Sequence, residues 1–446
     1  MSMPPDIAET LTLFPEHSAV DAHGVLRIAG CSVREMAERF GTPLYVFDEM
    51  ALRARCRAFR VALERFYPGE ALVTYAGKAY LNVALAQLLA QEGLGLDAVS
   101  GGEMYAAQAA GFPPERVTFH GNNKTAVELS QALRWGVGRI AVDSLDELCL
   151  LGQIASRPLS LWLRLAPGVD VHTHAYVRTG LLDSKFGLTI PTGDAEKALR
   201  LAMDSPHLRV VGLHAHIGSQ ILDSAPFIAT IETLLAFAAE MRDRHGFRLH
   251  ELSPGGGLGV RYTLQDPLLP VEAFVQRVAE TVVAACGGLG LSLPKLVLEP
   301  GRAIIGPTAI ALYTVGTRKV IPGMRTYVAV DGGMADNIRP ALYQARYAVV
   351  AATKLHAAHD RQVTIAGRFC ESGDVLIRDA WLPPLEPGDL LALPTAGAYC
   401  LAMASNYNQV PRPAVVMARD GQARLIQRRE TYEDLVRRDL ELGTVH

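Results

Sequence analysis

The sequence predicts an α/β protein: a (β/α)8 barrel followed by a mostly β C-terminal domain, with the N-terminal strand joining that second domain. Three observations predict it. Apolar runs of strand length at 71–76, 95–100, 117–121, 139–143, 159–166, 208–217, 250–255 and 295–300 alternate with helical patterns such as 82–91, 103–110, 126–135 and 227–244. In the helical patterns apolar residues recur at three and four. All eight strand runs fall in one block of about 230 residues, a length that suits a barrel. After Pro300 the rhythm changes: 308–320, 325–331, 362–366, 389–393 and 413–426 read as strands without long helices between them. Asp331-Gly-Gly, Pro383-Pro384 and Glu386-Pro-Gly-Asp389 punctuate these strands. An open doubly wound sheet would require G-x-G-x-x-G after the first strand, and Gly77-Lys78 stands there instead.

The segment before the barrel is a lead-in, residues 1–43. Residues 24–29 read as a strand, and Ser32-Val-Arg-Glu35 as a capped helix start that Gly41-Thr-Pro43 ends. A brief strand at 44–47 and a long helix near 48–66 open the barrel domain. The expected domains are therefore 1–43, packing with the β domain, 44–305 and 306–446.

The chain has 446 residues, 49% of them hydrophobic and 20% charged, with a net charge of −3. This allows two or three domains with ample cores and gives no electrostatic case for nucleic acid or an anionic membrane. No run approaches the roughly 18 apolar residues that span a bilayer. The N-terminus has neither a basic region nor an apolar signal core. The six cysteines (31, 56, 149, 286, 370, 400) form no C-x-x-C pair, so a reducing cytoplasm is expected rather than a disulfide framework.

In such barrels chemistry sits at the C-terminal ends of the strands. The first end carries Lys78, which shares a strand face with the small Ala76, leaving room beside the amine; a lysine in such a place can be desolvated, which lowers its pKa and makes it a nucleophile toward carbonyls. The following ends carry Asp97 with Ser100-Gly-Gly-Glu103, His120-Gly-Asn-Asn-Lys124, Asp143-Ser144, Arg164, and His214-Ala-His216-Ile-Gly-Ser219. The last two carry Gly255-Gly-Gly-Leu-Gly259 and Glu299-Pro-Gly-Arg302. Taken singly, Lys78 reads as a solvated strand-end lysine, the glycines as a turn, and Glu299 as a salt bridge to Arg302 or Arg164. Together, all eight ends are polar or glycine-rich on otherwise apolar runs. Glycines let backbone N–H groups approach an anion, and barrels hold phosphate at the loops after strands seven and eight. A lysine beside a phosphate site points to pyridoxal 5'-phosphate (PLP) held as a Schiff base. Glu299 would then face the ring nitrogen, and His216 would stack on the ring. His214-x-His216 also permits a metal reading with His120 and Asp97, but that leaves the lysine, the glycines and Glu299 unused, so no metal is expected. His172-Thr-His174 is expected to be a solvated or substrate-facing loop.

From about Gly41 to Arg412 these motifs resemble the fold-type III PLP-dependent decarboxylases. The likeness is carried by Tyr75-Ala-Gly-Lys78-Ala, Asp97-Ala-Val-Ser-Gly-Gly-Glu103, His120-Gly-Asn-Asn-Lys124, His216-Ile-Gly-Ser-Gln220, Gly255-Gly-Gly-Leu-Gly259 and Glu299-Pro-Gly-Arg302. In the β domain it continues in Arg339-Pro-Ala-Leu-Tyr343, Cys370-Glu-Ser-Gly-Asp374 and Gly397-Ala-Tyr399. The resemblance implies that Lys78 carries the cofactor, that His216 stacks on it, and that Glu299 pairs with its ring nitrogen. Ser219, Gly257, Gly301, Arg302 and Tyr399 would hold the phosphate, with Asp97 and Arg164 also in the cofactor site. Arg302, Arg339 and Tyr343, with Tyr399 beside them, would bind a distal substrate carboxylate, and Glu371 a distal ammonium. Cys370 would return a proton to the carbanion. In this family Cys370 and Glu371 come from the partner subunit, which implies a homodimer with active sites at the interface.

The substrate so implied is a diamino diacid, meso-2,6-diaminoheptanedioate, converted to L-lysine in the last step of lysine biosynthesis. A relative acting on ornithine, lysine, arginine or a carrier-bound amino acid is the nearest alternative. A racemase would need a second acid/base, commonly a tyrosine, opposite the lysine. A non-catalytic PLP-binding barrel would not need the residues after Pro300. Three positions depart from the family pattern: Tyr80 where many members have Asn, Ala166 where Asn is common, and Cys400 at a position that is usually glycine.

Overall fold

The structure, a computed structural model, describes residues 6–168 and 184–443. The chain divides into two compact units: Met1–Leu52 with Arg261–Pro267 and Ile305–His446, and Arg53–Val260 with Leu268–Ile304.

The second unit holds eight parallel strands: β1 (Ala71–Ala76), β2 (Gly95–Ala98), β3 (Val117–Phe119), β4 (Arg139–Val142), β5 (Leu159–Ala166), β6 (Leu208–His214), β7 (Glu251–Gly255) and β8 (Lys295–Leu298). Each pairs with the next, and β8 pairs with β1, so the sheet closes into a barrel. The eight apolar runs of the sequence are these strands. Several end a few residues earlier than the runs, because the polar and glycine residues at the ends leave the ladder to line the mouth. Helices such as Val83–Gln91, Gly101–Ala109, Ala126–Trp135, Leu145–Ile154, Asp194–Met203, Ala225–His245 and Val271–Leu289 make the crossovers. A capping box between Thr125 and Glu128 starts one of them.

Period-two alternation sorts the strand residues between the interior and the helix layer. Ala141, Trp162 and Val297 form an interior apolar cluster, with Leu72 and Val211 packed against it. One step toward the N-terminal ends, Arg139 pairs with Glu251 at 2.8 Å. One step toward the C-terminal ends, Asp143, Arg164 and Glu299 share the faces of Ala141, Trp162 and Val297.

A buried ion pair ties the third and fourth strand ends together. Lys124 Nζ donates to the carbonyls of Gly121 and Ala141 and to Glu147 Oε1, each at 2.7 Å. Glu147 Oε2 accepts from the Asp143 N–H at 2.9 Å.

In the first unit the main sheet runs, in spatial order, Val375–Leu382, Arg361–Ala366, Arg325–Val330, Ala309–Ile321, Leu44–Asp48, Ala414–Arg419 and Gln422–Gln427. Val350–Ala351 and Leu390–Leu393 attach beside Ala309–Ile321. Leu44–Asp48 therefore belongs to the β unit, not to the barrel. All five of its residues are buried, and both its edges are taken, by Ala309–Ile321 and by Ala414–Arg419. The division consequently falls after Leu52 rather than at Gly41-Thr-Pro43. The lead-in strand, Leu26–Ile28, forms its own three-stranded sheet with Ser18–Val20 and Cys31–Ser32. Leu26 and Ile28 pack into one core with Val46, Ile310, Ala392 and Val416. Ser32 sits at the N-cap of Val33–Phe40 without a side-chain capping bond.

Two strand expectations change. The run 413–426 is a hairpin, turned at Asp420 and Gly421, both at positive φ. Val375–Leu382 escapes the sequence reading because Arg378-Asp379 breaks its alternation, and Asp379 sits at φ 55°. No helix among the described residues is long and apolar enough to cross a membrane.

Lys124→Met leaves the Glu147 carboxylate buried without its cation. Stability is expected to fall by about 3–5 kcal/mol, read from the urea midpoint of unfolding. The double variant Lys124→Met/Glu147→Leu should recover most of that loss.

Candidate active site

Lys78 follows β1 in a single turn of 3-10 helix, Gly77–Ala79. Its side chain is open to solvent within the barrel mouth. The walls around it still desolvate the amine, and with Arg164 close by they hold it below the usual lysine range. The carboxylates of Glu299, Asp97 and Glu103 pull the other way.

Glu299, just past β8, is only 6% exposed. Its Oε2 accepts from His214 Nε2 at 3.0 Å, and its Oε1 from the Ser253 hydroxyl at 2.6 Å. Burial works against ionisation, but His214, His120 and the Ser253 bond outweigh it and hold the carboxyl below its ordinary range. Glu299 therefore takes its hydrogen bonds from His214 and Ser253, not from a salt bridge to Arg302 or Arg164. Burial also pushes His214 and His120 down to about 4, so both rings are neutral near pH 7.

His216 lies two residues beyond β6, half-buried, and its ring is held far below the usual histidine range by burial and then by Lys78 and Arg164. His214 does not act with His216 as a ligand pair. It groups instead with His120 and Glu299, whose candidate ligand atoms lie within 4.8 Å of one another. The Nε2 of His214 is already engaged by the glutamate.

Asp97, at the end of β2, is buried, and neither of its carboxylate oxygens has a hydrogen-bond partner. Burial, then Glu299, pushes its carboxyl well up. His120 Nε2 stands 3.4 Å away, also unbonded. Arg164 pairs with Asp143 at 3.4 Å and lies over the Phe186 ring at 4.3 Å.

The glycine stretch after β7 is a cradle built by close approach. A Cβ on Gly256 would stand 1.9 Å from the Glu299 carbonyl oxygen. One on Gly257, at φ 115°, would stand 2.4 Å from the Gly218 oxygen. No side chain fits at either position, so backbone alone faces the mouth. Ser219 is exposed there, and its hydroxyl accepts from Arg302 Nη2 at 2.9 Å. Gly301 is buried, and Arg302 begins the short helix Arg302–Ile305. Orphaned polar atoms on Asp97 and His120, a side-chain-free cradle and a reachable amine together fit a phosphorylated aldehyde cofactor.

The β unit carries the remaining expected residues. Arg339 begins the helix Arg339–Tyr343 and is 5% exposed. Its guanidinium lies over the Tyr262 ring at 4.3 Å and donates to the Tyr347 hydroxyl. Among the described residues it has no carboxylate partner, and its Nε is unbonded. Tyr343, on the same helix, is 60% exposed. Tyr399 is half-buried at φ 61°. Cys370 and Glu371 are exposed on a loop held by two sets of bonds. Asp374 accepts from the Met334 and Phe369 N–H groups, and Asn408 from that of Cys370.

Sequence reading missed Ser253, the Lys124–Glu147 pair, and the Tyr262 and Tyr347 rings. Ser253 had a signal, a polar residue on the interior face of an apolar strand. The tyrosines had none, because they meet Arg339 only through tertiary packing. His172-Thr-His174 lies outside the described residues.

A closed barrel with a desolvated lysine at the first strand end, a buried carboxylate at the eighth and a backbone cradle after the seventh defines a PLP-type enzyme of amino-acid chemistry. Comparison with known proteins agrees. The family model "Pyridoxal-dependent decarboxylase, pyridoxal binding domain" matches residues 50–306. The chain is 47% identical to the diaminopimelate decarboxylase of Bacillus subtilis over 431 residues, 96% of this chain and 98% of that one. It is 43% identical to that of Synechocystis over 438 residues, 96% and 92% of the two chains. The crystal structure of the M. jannaschii diaminopimelate decarboxylase in co-complex with L-lysine superposes with a TM-score of 0.90 at 34% identity, covering 96% of this chain and 98% of that one. The chain belongs to the pyridoxal-dependent decarboxylases, in the diaminopimelate decarboxylase branch, and its cofactor is PLP.

Arg164→Gln removes a cation that faces Lys78. The amine then holds its proton to higher pH, so less of it is free at any given pH. In PLP-free protein, the pH profile for recombination with PLP, followed by stopped-flow absorbance, should move to higher pH. An unmoved profile would mean that burial alone sets the amine.

Proposed function

We infer that the chain decarboxylates meso-2,6-diaminoheptanedioate to L-lysine and CO2, the last step of lysine biosynthesis by the diaminopimelate route. The observation that carries the choice of substrate is Arg339, a buried guanidinium without a carboxylate partner among the described residues. A cation so placed needs an anion. A diamino diacid brings a second carboxylate, whereas ornithine and lysine bring none. The diaminopimelate decarboxylase crystallised with L-lysine supports the same product.

When bound, PLP supplies a protonated ring that accepts the electron pair left behind as CO2 departs. The chain's own residues do the rest. Lys78 anchors the cofactor through its amine. Glu299, held ionised, keeps the proton on the ring nitrogen, and neutral His216 covers one ring face. Ser219, Gly257, Gly301, Arg302 and Tyr399 hold the phosphate, with Asp97 and Arg164 completing the cofactor site. Arg339, Arg302 and Tyr343 take the distal carboxylate, and Glu371 takes the distal ammonium. Breaking the bond between Cα and the carboxylate leaves a pair on Cα, and the Cys370 thiol returns a proton to that carbon. In this proposal Cys370 and Glu371 act from the second subunit of a homodimer, and the enzyme works in the cytoplasm.

The test is CO2 release from diaminoheptanedioate, ornithine, lysine and arginine. Only the diacid should turn over well, and Arg339→Leu should lower kcat/KM for it by roughly 100-fold or more, the worth of a charge-assisted pair. Turnover of ornithine without turnover of the diacid would sink this substrate. Lys78→Ala should abolish the visible absorbance of the bound cofactor.

A further inference from the structure

The Glu299 carboxylate is aimed by a column of side chains that runs down the barrel interior. His214 is 1% exposed and Trp162 fully buried, with ring centroids 5.9 Å apart and planes 8° from parallel. Stacking fixes the plane of the imidazole, so His214 Nε2 can point only along the line on which Glu299 Oε2 lies, 3.0 Å away. His214 Nδ1 has no hydrogen-bond partner. The ring is neutral, so its one proton must lie on Nε2. The other tautomer would set two acceptors against each other at that distance.

Trp162 is itself fixed from below. Its Nε1–H donates to Glu251 Oε2 at 2.6 Å, and Glu251 is gripped by Arg139 through contacts of 2.8 and 2.9 Å. Gly212, the partner of Trp162 in the β5–β6 ladder, makes room for the indole. A Cβ there would stand 2.8 Å from Trp162 Cδ1 and 2.9 Å from its Nε1. The ladder also shifts register between Val210 and Gly212, which sets the phase of β6 ahead of His214. His120 leans on both rings, at 4.9 Å from His214 and 6.2 Å from Trp162.

We propose that Trp162 and His214 are positioning residues for Glu299. The indole, seated by Gly212 and tethered to Glu251, holds the Nε2–H tautomer of His214 against the carboxylate, so that the free lone pairs of Glu299 meet the cofactor's ring nitrogen. This rests on the functional reading above, in which Glu299 serves that nitrogen. A carboxylate has about four acceptor positions. His214 and Ser253 occupy two and leave the others for the ring N–H. Neither Trp162 nor His214 touches substrate in this scheme, so their loss should act on kcat and spare KM.

Two measurements test it. The first uses PLP-free protein labelled with 15N in its histidines. The His214 signals should show a protonated Nε2 and a bare Nδ1 at neutral pH, and a proton on Nδ1, or on both nitrogens, overturns the proposal. The second uses the holoenzyme. His214→Leu should lower kcat about 10- to 100-fold, the worth of one hydrogen bond to a charged group, with KM within about twofold. His214→Gln, which can still donate, should recover most of that loss. Trp162→Phe keeps a stacked ring but loses the tether, and should displace the His214 signals and lower kcat several-fold. A His214→Leu enzyme with unchanged kcat, or a Gln variant no better than Leu, overturns the role of His214. A Trp162→Phe enzyme with unmoved His214 signals and unchanged kcat overturns that of Trp162. If His214→Leu fails to fold, the nitrogen spectra and Trp162→Phe still decide. The nitrogen spectra require neither cofactor nor substrate, so failure of the proposed reaction stays distinct from failure of this inference.

Discussion

A carboxylate inside a closed barrel is the constraint on which the site depends. Leaving Glu299 ionised and unpaired would cost several kcal/mol. Two neutral donors, the Ser253 hydroxyl and His214 Nε2–H, offset that cost without adding charge. They come from β7 and β6, and Glu299 follows β8. Three adjacent strands must therefore stand in one register before the carboxylate is satisfied. That register is uneven where β7 meets β8, between Leu252 and Gly255. There the Ser253 hydroxyl also accepts the Gly255 N–H, at 3.1 Å, which locks the serine in place as the chain turns into the glycine cradle. The placed carboxylate and the glycine cradle are thus two products of one local backbone path.

The same economy governs the rest of the mouth. Histidines at 120, 214 and 216 sit among Lys78 and Arg164, and burial keeps all three below their ordinary range. Charged imidazoles there would crowd the lysine with further cations. Neutral ones can stack and donate without doing so. Lys78 gains from the arrangement, because its amine is depressed by burial and by Arg164 while remaining open to solvent. A nucleophilic amine needs both conditions. Arg164 is itself placed by a chain of contacts: Lys124 holds Glu147, Glu147 holds the Asp143 backbone, and Asp143 faces Arg164.

Much of this was legible in the sequence, for a physical reason. In a parallel barrel, period-two alternation and the rule that chemistry sits at strand ends convert sequence position directly into place. Lys78, Asp97, Arg164 and Glu299 are therefore assigned to the mouth by their sequence positions alone. What alternation cannot show is which interior residues meet across the barrel. The pairing of His214 with Glu299 links residues 85 apart in sequence and depends on the closure of the sheet. The same limit hid the place of Leu44–Asp48. Its five buried residues suit either a barrel strand or a central strand of the β unit, and only its neighbours, Ala309–Ile321 and Ala414–Arg419, decide. Val375–Leu382 was lost differently, to a charged pair set in a bulged strand.

The departures from the family pattern are absorbed by packing rather than by new charge. Tyr80 is buried, and its hydroxyl accepts from Asn82 Nδ2 at 3.0 Å. Ala166 is buried beside Thr189, its partner in the sheet. Cys400 matters more. Its sulfur lies 3.5 Å from both the Tyr347 hydroxyl and Asn337 Oδ1. Tyr347 in turn takes the hydrogen bond of Arg339. A glycine at 400 would leave a gap behind that hydroxyl, and a gap in a close-packed cage forfeits contacts on every wall. The cysteine fills it with a soft, weakly polar atom that does not compete for the guanidinium. Arg339 is thus caged by aromatic faces that supply packing but no anion. In the proposed reaction its charge is left for the distal carboxylate of the substrate, which would separate a diacid from a diamine precursor.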